Sequence, residues 1–229
     1  GVPRGTFAGM TTGADTRNGS SDLDLERFQD LCQAAEIGLT PTVIEGLVAY
    51  RDLMRAWNGR VRLVSRSSGS RILERHVYES LLLARFLPAS ATRLVDIGTG
   101  GGLPGIPLKI FRPDLQVVLL DSARMKTLFL REVIRTLSLK GIEVVHDRAE
   151  RAVSSIGGTF DLATSRAVAT LDRVWAFAQP LLRADGSMLS LKGPGEAEKE
   201  LSGAGLDFKE HVFESKYRRV SVVCIKQPQ

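Results

Sequence analysis

Cysteine is scarce in this chain: Cys32 and Cys224 are the only two among 229 residues. Two thiols so far apart make neither a disulfide framework nor a zinc site. Both are expected to be buried and free, and no metal is expected. Long apolar runs are missing as well. No eighteen consecutive apolar residues occur, so neither a membrane span nor a membrane partner is expected. The N-terminus has no basic region followed by an apolar core, which points away from a secretory signal and toward the cytoplasm. There is no internal repeat and no long low-complexity segment.

What remains is an ordinary globular composition, 43% apolar and 25% charged. The length suits one sizeable domain, or one domain with an appendage, and its core can be large without disulfides. A net charge of +5 and a pI near 9.5 allow a polyanionic partner without requiring one.

Residues 1–20 are rich in Gly, Thr, Ser and Asn, have no period, and read as a disordered tail. Helical spacing starts at Ser21, with Leu25, Phe28, Leu31 and Cys32 on one face and Gly38 as the stop. Thr40 and Pro41 open a second helix, Thr40 as N-cap, which runs to Asn58-Gly59. Ser70 opens a third, ended by Pro88. These three form an N-terminal helical extension over 21–90.

From residue 91 to 229 the rhythm changes to short strands alternating with helices. Strands are expected at 93–97, 115–121, 142–147, 160–167 and 187–193. Helices are expected at 124–139 and at 171–186, the latter broken near Pro180. Two further strands, 208–214 and 218–226, read as an antiparallel C-terminal hairpin. The alternation implies an α/β, Rossmann-like sheet, mostly parallel, with helices on both faces.

The stretch Leu94–Pro107, "LVDIGTGGGLPGIP", places five glycines directly behind the first strand. Gly98, Gly100 and Gly102 alternate after Asp96. Glycine permits left-handed turns and leaves the backbone open to a ligand. In such a sheet ligands bind at the carboxyl ends of the strands, near the switch point. Gly100, Gly102 and Gly105 formally match a dinucleotide fingerprint. That match starts late after the strand, and Pro104 and Pro107 are expected to interrupt the helix that would hold a pyrophosphate. The loop does not end in the Lys-Ser/Thr of a phosphate loop either. S-adenosyl-L-methionine, which carries no phosphate, fits better. Asp121 closes the second strand 23 positions after Gly98, about where an acid for ribose hydroxyls is expected. The bland alternative is a glycine turn with an incidental strand-end acid.

Asp147–Glu150, "DRAE", follows the third strand, at the adenine side of this architecture or in a solvated loop. Arg166 ends the fourth strand, where it could meet an anion or form a surface ion pair. Arg124 and Lys126 open a helix near the same edge, where phosphate contact is plausible but unspecific. His76 lies on an apolar-striped helix and reads as structural. Lys216–Arg219, "KYRR", mixes an aromatic with cations, as single-strand binders do, or is simply a solvated hairpin turn.

Taken together, "LVDIGTGGGLPGIPLKIFRPDLQVVLLDS", "RAE", "TSRA" and "LKG" resemble the RsmG family, also called glucose-inhibited division protein B. Its members methylate a guanine N7 in bacterial small-subunit ribosomal RNA. The resemblance spans roughly 25–226 and includes Trp57-Asn58 and Arg75-His76. It implies a class I methyltransferase that uses S-adenosyl-L-methionine, with 16S ribosomal RNA as partner, either naked or in a partly assembled small subunit. It implies that Gly98, Gly100 and Leu103 line the methionine side and that Asp121 holds the ribose. Ala149 and Glu150 would border the adenine, with Arg166 at the donor pocket. Lys192, in "LKG", and Arg124 would face the RNA. The chain departs from the family pattern at Arg62, Val64, Glu79, Gly101 and Val168. Guanine N7 has a free lone pair, so no general base is required and no catalytic residue is named. A monomer is expected. The alternatives are a methyltransferase of another substrate and a non-catalytic RNA-binding module on the same fold.

Overall fold

The computed structural model describes residues 16–89, 92–166, 168–215 and 219–226. Seven strands form one sheet in the order β3-β2-β1-β4-β5-β7-β6. They are β1 (Arg93–Ile97), β2 (Gln116–Asp121), β3 (Ile142–His146), β4 (Phe160–Arg166), β5 (Leu182–Lys192), β6 (Phe208–Glu214) and β7 (Arg219–Lys226). β1 to β5 run parallel, and β7 inserts antiparallel between β5 and β6. The chain order reverses between β1 and β4, which opens a crevice at their carboxyl ends.

Alternate residues of the central strands feed two apolar layers. Leu94, Val117, Leu119, Leu162 and Leu189 face α4 (Gly105–Phe111), α5 (Arg124–Thr136) and the N-terminal helices. Val95, Ile97, Val118, Leu120, Ala163 and Met188 face α6 (Ala149–Ile156), α7 (Leu171–Ala178) and α8 (Glu196–Leu201). Phe28, Leu47, Tyr50 and Met54, from the N-terminal helices, belong to the first of these layers.

Those helices are α1 (Thr16–Ala34), α2 (Pro41–Asn58) and a mixed third segment. Thr40 caps α2, its hydroxyl accepting from Val43 N–H at 3.3 Å, as its sequence position suggests. The third segment begins with a π turn (Leu73–Val77), continues as α3 (Tyr78–Leu82) and tightens into a 3₁₀ turn (Leu83–Phe86). The Asp24 carboxylate of α1 accepts the N–H groups of Leu73 and Glu74 at its start, satisfying donors a helix end leaves open.

Three expectations change. α1 starts at Thr16, inside the stretch read as a disordered tail, because Thr, Asn and Gly are weak helix formers that hide its onset. The rest of that tail, and Lys216–Arg218 of "KYRR", lie outside the described residues. Pro107 does not prevent a helix after the glycine loop: it sits in the first turn of α4, where its missing N–H has no partner to lose. The helix expected through 186 ends at Ala178 with a 3₁₀ turn at Pro180, and residues 182–186 belong to β5. Among the described residues no helix is long and apolar enough to cross a membrane.

Candidate functional site

The loop after β1 is shaped by one buried acid. Asp96 is fully buried and accepts from Thr99 Oγ1 at 2.6 Å, Gly105 N–H at 2.9 Å and Thr164 Oγ1 at 3.1 Å. The three donors come from the loop, the start of α4 and the neighbouring strand. Burial nevertheless raises its carboxyl to about 6, the hydrogen bonds and Arg166 pulling the other way. Gly105 must be glycine for this grip, since a Cβ there would stand 2.9 Å from Asp96 Oδ2.

Gly98, Gly100 and Gly102 all have positive φ, at +63°, +61° and +91°. The Gly100 N–H, turned outward by this geometry, donates to Asp121 Oδ2 at 2.8 Å, and Ala123 N–H donates to Asp121 Oδ1 at 2.8 Å. Asp121 thus ties the glycine loop to the start of α5. Each of its oxygens retains a lone pair for a further donor. From behind, the buried Tyr50 hydroxyl of α2 donates to Gly101 O at 2.6 Å. Burial pushes that phenol well above its ordinary pKa, so it remains a donor.

Gly98 and Asp121 border a crevice of about 480 Å³, within the range of roughly 300–1,000 Å³ typical of small-molecule sites. Gly98, Asp121, Lys126, Ala149, Glu150 and Val168 are among its lining residues. Gly98 leaves its floor bare: a Cβ there would come within 2.5 Å of Val168 Cγ2. Gly98→Ala should therefore weaken nucleoside binding about tenfold, from the 1–2 kcal/mol cost of a left-handed L-residue and this collision. Adding Val168→Ala should recover the steric part alone. Full recovery in titration calorimetry of the double variant would contradict the backbone argument.

Of the residues singled out from the sequence, Gly98, Asp121, Ala149 and Glu150 line the crevice and Gly100 is bonded to Asp121 beside it. Leu103 is buried against the core, beneath the loop and outside the crevice lining. Arg166 points to the opposite face, where Nη1 lies 2.7 Å from His76 Nδ1 and 3.5 Å from Glu79 Oε2. An arginine N–H only donates, so His76 accepts at Nδ1 and carries its proton on Nε2. Lys192 Nζ contacts Glu200 Oε1 at 2.8 Å and Ala169 O at 3.2 Å, while Glu200 Oε2 accepts Leu171 N–H at 2.7 Å. This pair secures the 169–171 segment that follows Val168. Arg124 is exposed at the start of α5.

Asp96 and Tyr50 were not singled out as site residues from the sequence. The buried Asp one residue before a glycine loop was a usable signal. The tyrosine, 51 positions away from its acceptor, left none.

The crevice suits S-adenosyl-L-methionine on its own geometry. A carboxylate with spare lone pairs stands at the end of β2, and a floor without side chains lies beside it. Comparisons with known proteins agree. The family model "GidB: rRNA small subunit methyltransferase G" matches residues 43–228. The protein named "Ribosomal RNA small subunit methyltransferase G" of Chlorobaculum tepidum is 38% identical over 192 residues, covering 82% of this chain and 86% of its own. Its namesake from Moorella thermoacetica is 41% identical over 172 residues, covering 73% and 71%. Among solved structures, a SAM-dependent methyltransferase from Aquifex aeolicus superposes with a TM-score of 0.52 at 18% identity, covering 65% of this chain and 88% of its own. A precorrin-6y C5,15-methyltransferase from Geobacter metallireducens gives 0.53 at 12%, covering 73% and 91%. At such identities the structural likeness speaks for the fold.

Proposed function

This chain belongs to the rRNA small subunit methyltransferase G family, and from that premise we propose how its site works. The reaction is transfer of a methyl group from S-adenosyl-L-methionine to N7 of a guanine in 16S ribosomal RNA. The observation that carries the reading at residue level is the Asp121 carboxylate, bound to Gly100 N–H and presented at the crevice.

S-adenosyl-L-methionine supplies an electrophilic methyl group on a sulfonium, whose charge is lost on transfer. Asp121 accepts the ribose hydroxyls with its remaining lone pairs. Ala149 and Glu150 border the adenine, and Gly98 and Gly100 let the donor lie against backbone. Leu103 supports that backbone from below. Arg166 is turned away from the crevice toward His76 and Glu79 and is assigned no contact with the donor. The protein's work is alignment: N7 is already nucleophilic, so holding it in line with the methyl and excluding water supply the acceleration. Arg124 faces the RNA. Lys192 serves the RNA indirectly, by securing the 169–171 segment with Glu200.

The substrate itself supports a cytoplasmic place of action. We further assign the working unit as a monomer acting on the RNA within a partly assembled small subunit. Mass mapping of ribosomal RNA from cells lacking the protein should show one N7-methylguanosine lost from 16S RNA. Purified protein should restore it on small subunits from those cells more efficiently than on naked RNA. An unchanged map would overturn the assigned reaction, and equal rates on both substrates would overturn the preference for a particle.

A further inference from the structure

Between α2 and the π turn the chain runs "GRVRLVSRSSGSRIL", residues 59–73, with Arg60, Arg62, Arg66 and Arg71 and no acidic residue. We propose that this loop, through Arg60 and Arg62, is the surface that grips the RNA phosphate backbone. The assignment rests on the rRNA methyltransferase reading above and deepens it.

The loop is rooted in the core and fixed in shape. Val61 and Val64 are buried. The Asn58 side-chain oxygen accepts Leu63 N–H at 2.8 Å and Val64 N–H at 3.0 Å. Arg55 donates to Gly69 O and Ser70 O, and Ser65 Oγ lies 2.8 Å from Ser68 Oγ. Arg60 and Arg62 flank Val61 and are exposed, with no ion pair among the described residues. Several acids of the N-terminal helices have arginine partners of their own: Asp24 with Arg55, Glu74 with Arg27 and Arg71, Glu79 with Arg166, and Asp52 with Arg51. A preformed loop with unneutralised guanidinium groups matches the chemistry of phosphate, which arginine recognises through its planar donor fork.

Position makes the partner specific. A Cβ added at Gly101 would stand 3.3 Å from Leu63 Cβ, so the arginine loop lies directly on the glycine loop of the donor site. A phosphate held there belongs to the molecule being methylated. The large exposed apolar residues, Leu23, Met125, Leu128, Val168 and Val212, lie elsewhere, which argues against a lipid surface.

The test compares Arg60→Ala/Arg62→Ala with Lys140→Ala/Lys199→Ala, which removes equal exposed charge outside the arginine loop and the crevice lining. The probe is the small ribosomal subunit from cells lacking the protein, with S-adenosyl-L-methionine binding measured alongside. The loop variant should bind the subunit about tenfold more weakly at 0.1 M salt. Its slope of log affinity against log salt should be shallower by about 1.5, since each lost phosphate contact removes roughly 0.7–0.9. Its S-adenosyl-L-methionine affinity should stay within twofold of the unmodified protein, and Arg60→Lys/Arg62→Lys should keep most of the subunit affinity. Unchanged subunit affinity and salt slope in the loop variant, with the unmodified protein active, would overturn the surface and leave the reaction standing. Failure of the unmodified protein to bind the subunit would overturn both. A loop variant that also lost S-adenosyl-L-methionine binding would show a structural role and overturn the assignment to phosphate.

Discussion

Asp121→Ala is expected to raise the dissociation constant for S-adenosyl-L-methionine about 100-fold, or roughly 2.7 kcal/mol. The size follows from what the carboxylate does before any ligand arrives. It accepts Gly100 N–H and Ala123 N–H, each at 2.8 Å, and so sets the distance between the glycine loop and α5. Hydrogen bonds to a charged group contribute about 1.5–3 kcal/mol each. Alanine removes both, together with the acceptor proposed for the ribose, and the loop loses the shape that exposes its backbone. Asp121→Asn should fall only slightly short of alanine. Its single carbonyl oxygen can serve one of the two N–H groups, while its amide nitrogen turns a donor toward the other. Titration calorimetry checks the series, and alanine binding within threefold of the unmodified protein would refute the role given to this residue.

The second large effect is on stability. Asp96→Ala should lower the unfolding free energy at pH 5 by about 3–5 kcal/mol, because three donors in or beside the loop lose their common acceptor at about 1–3 kcal/mol each. The midpoint of thermal unfolding should drop by about 10 °C, given 2–4 °C per kcal/mol for a chain of this size. The sign of the pH dependence is fixed by the direction of the shift. Burial raises this carboxyl from 3.8 to about 6, so the folded state holds its proton more tightly than the unfolded chain does. The contribution to stability is then largest below the unfolded value and is lost as pH rises through about 6. The gap in stability between the unmodified protein and Asp96→Ala should therefore narrow from pH 4 to pH 7. A gap that widens over that range would show that the three hydrogen bonds outweigh the burial and hold the carboxylate ionised.

Both residues illustrate what the sequence can convey. The strand, glycine loop and closing acid of β1 and β2 are readable because they are local: a short apolar run, glycines where φ turns positive, and an Asp at the end of the next strand. The C-terminal antiparallel pair, β6 and β7, was readable for the same reason. The grip of Asp96 was only half readable. Its acceptor position is local to Thr99 and Gly105, yet Thr164 lies 68 residues away on a strand whose pairing no spacing announces. The partners of Arg166 are further still, His76 on a π turn that reads in sequence as ordinary helix and Glu79 on α3 just after it. Lys192 shows the converse. Its place in "LKG" suggested a cation facing outward, and the structure occupies its ammonium with Glu200, eight positions on in a helix too short to leave a periodic trace.

Tyr50 carries a practical corollary for anyone building hybrids from relatives of this protein. Its hydroxyl finishes a turn whose chemistry is encoded half a hundred residues downstream. A junction cut near residue 90 would therefore import a foreign back wall for the donor loop along with the new helices. Such hybrids should inherit donor affinity partly from the parent that supplies the helices, even when every residue lining the crevice comes from the other.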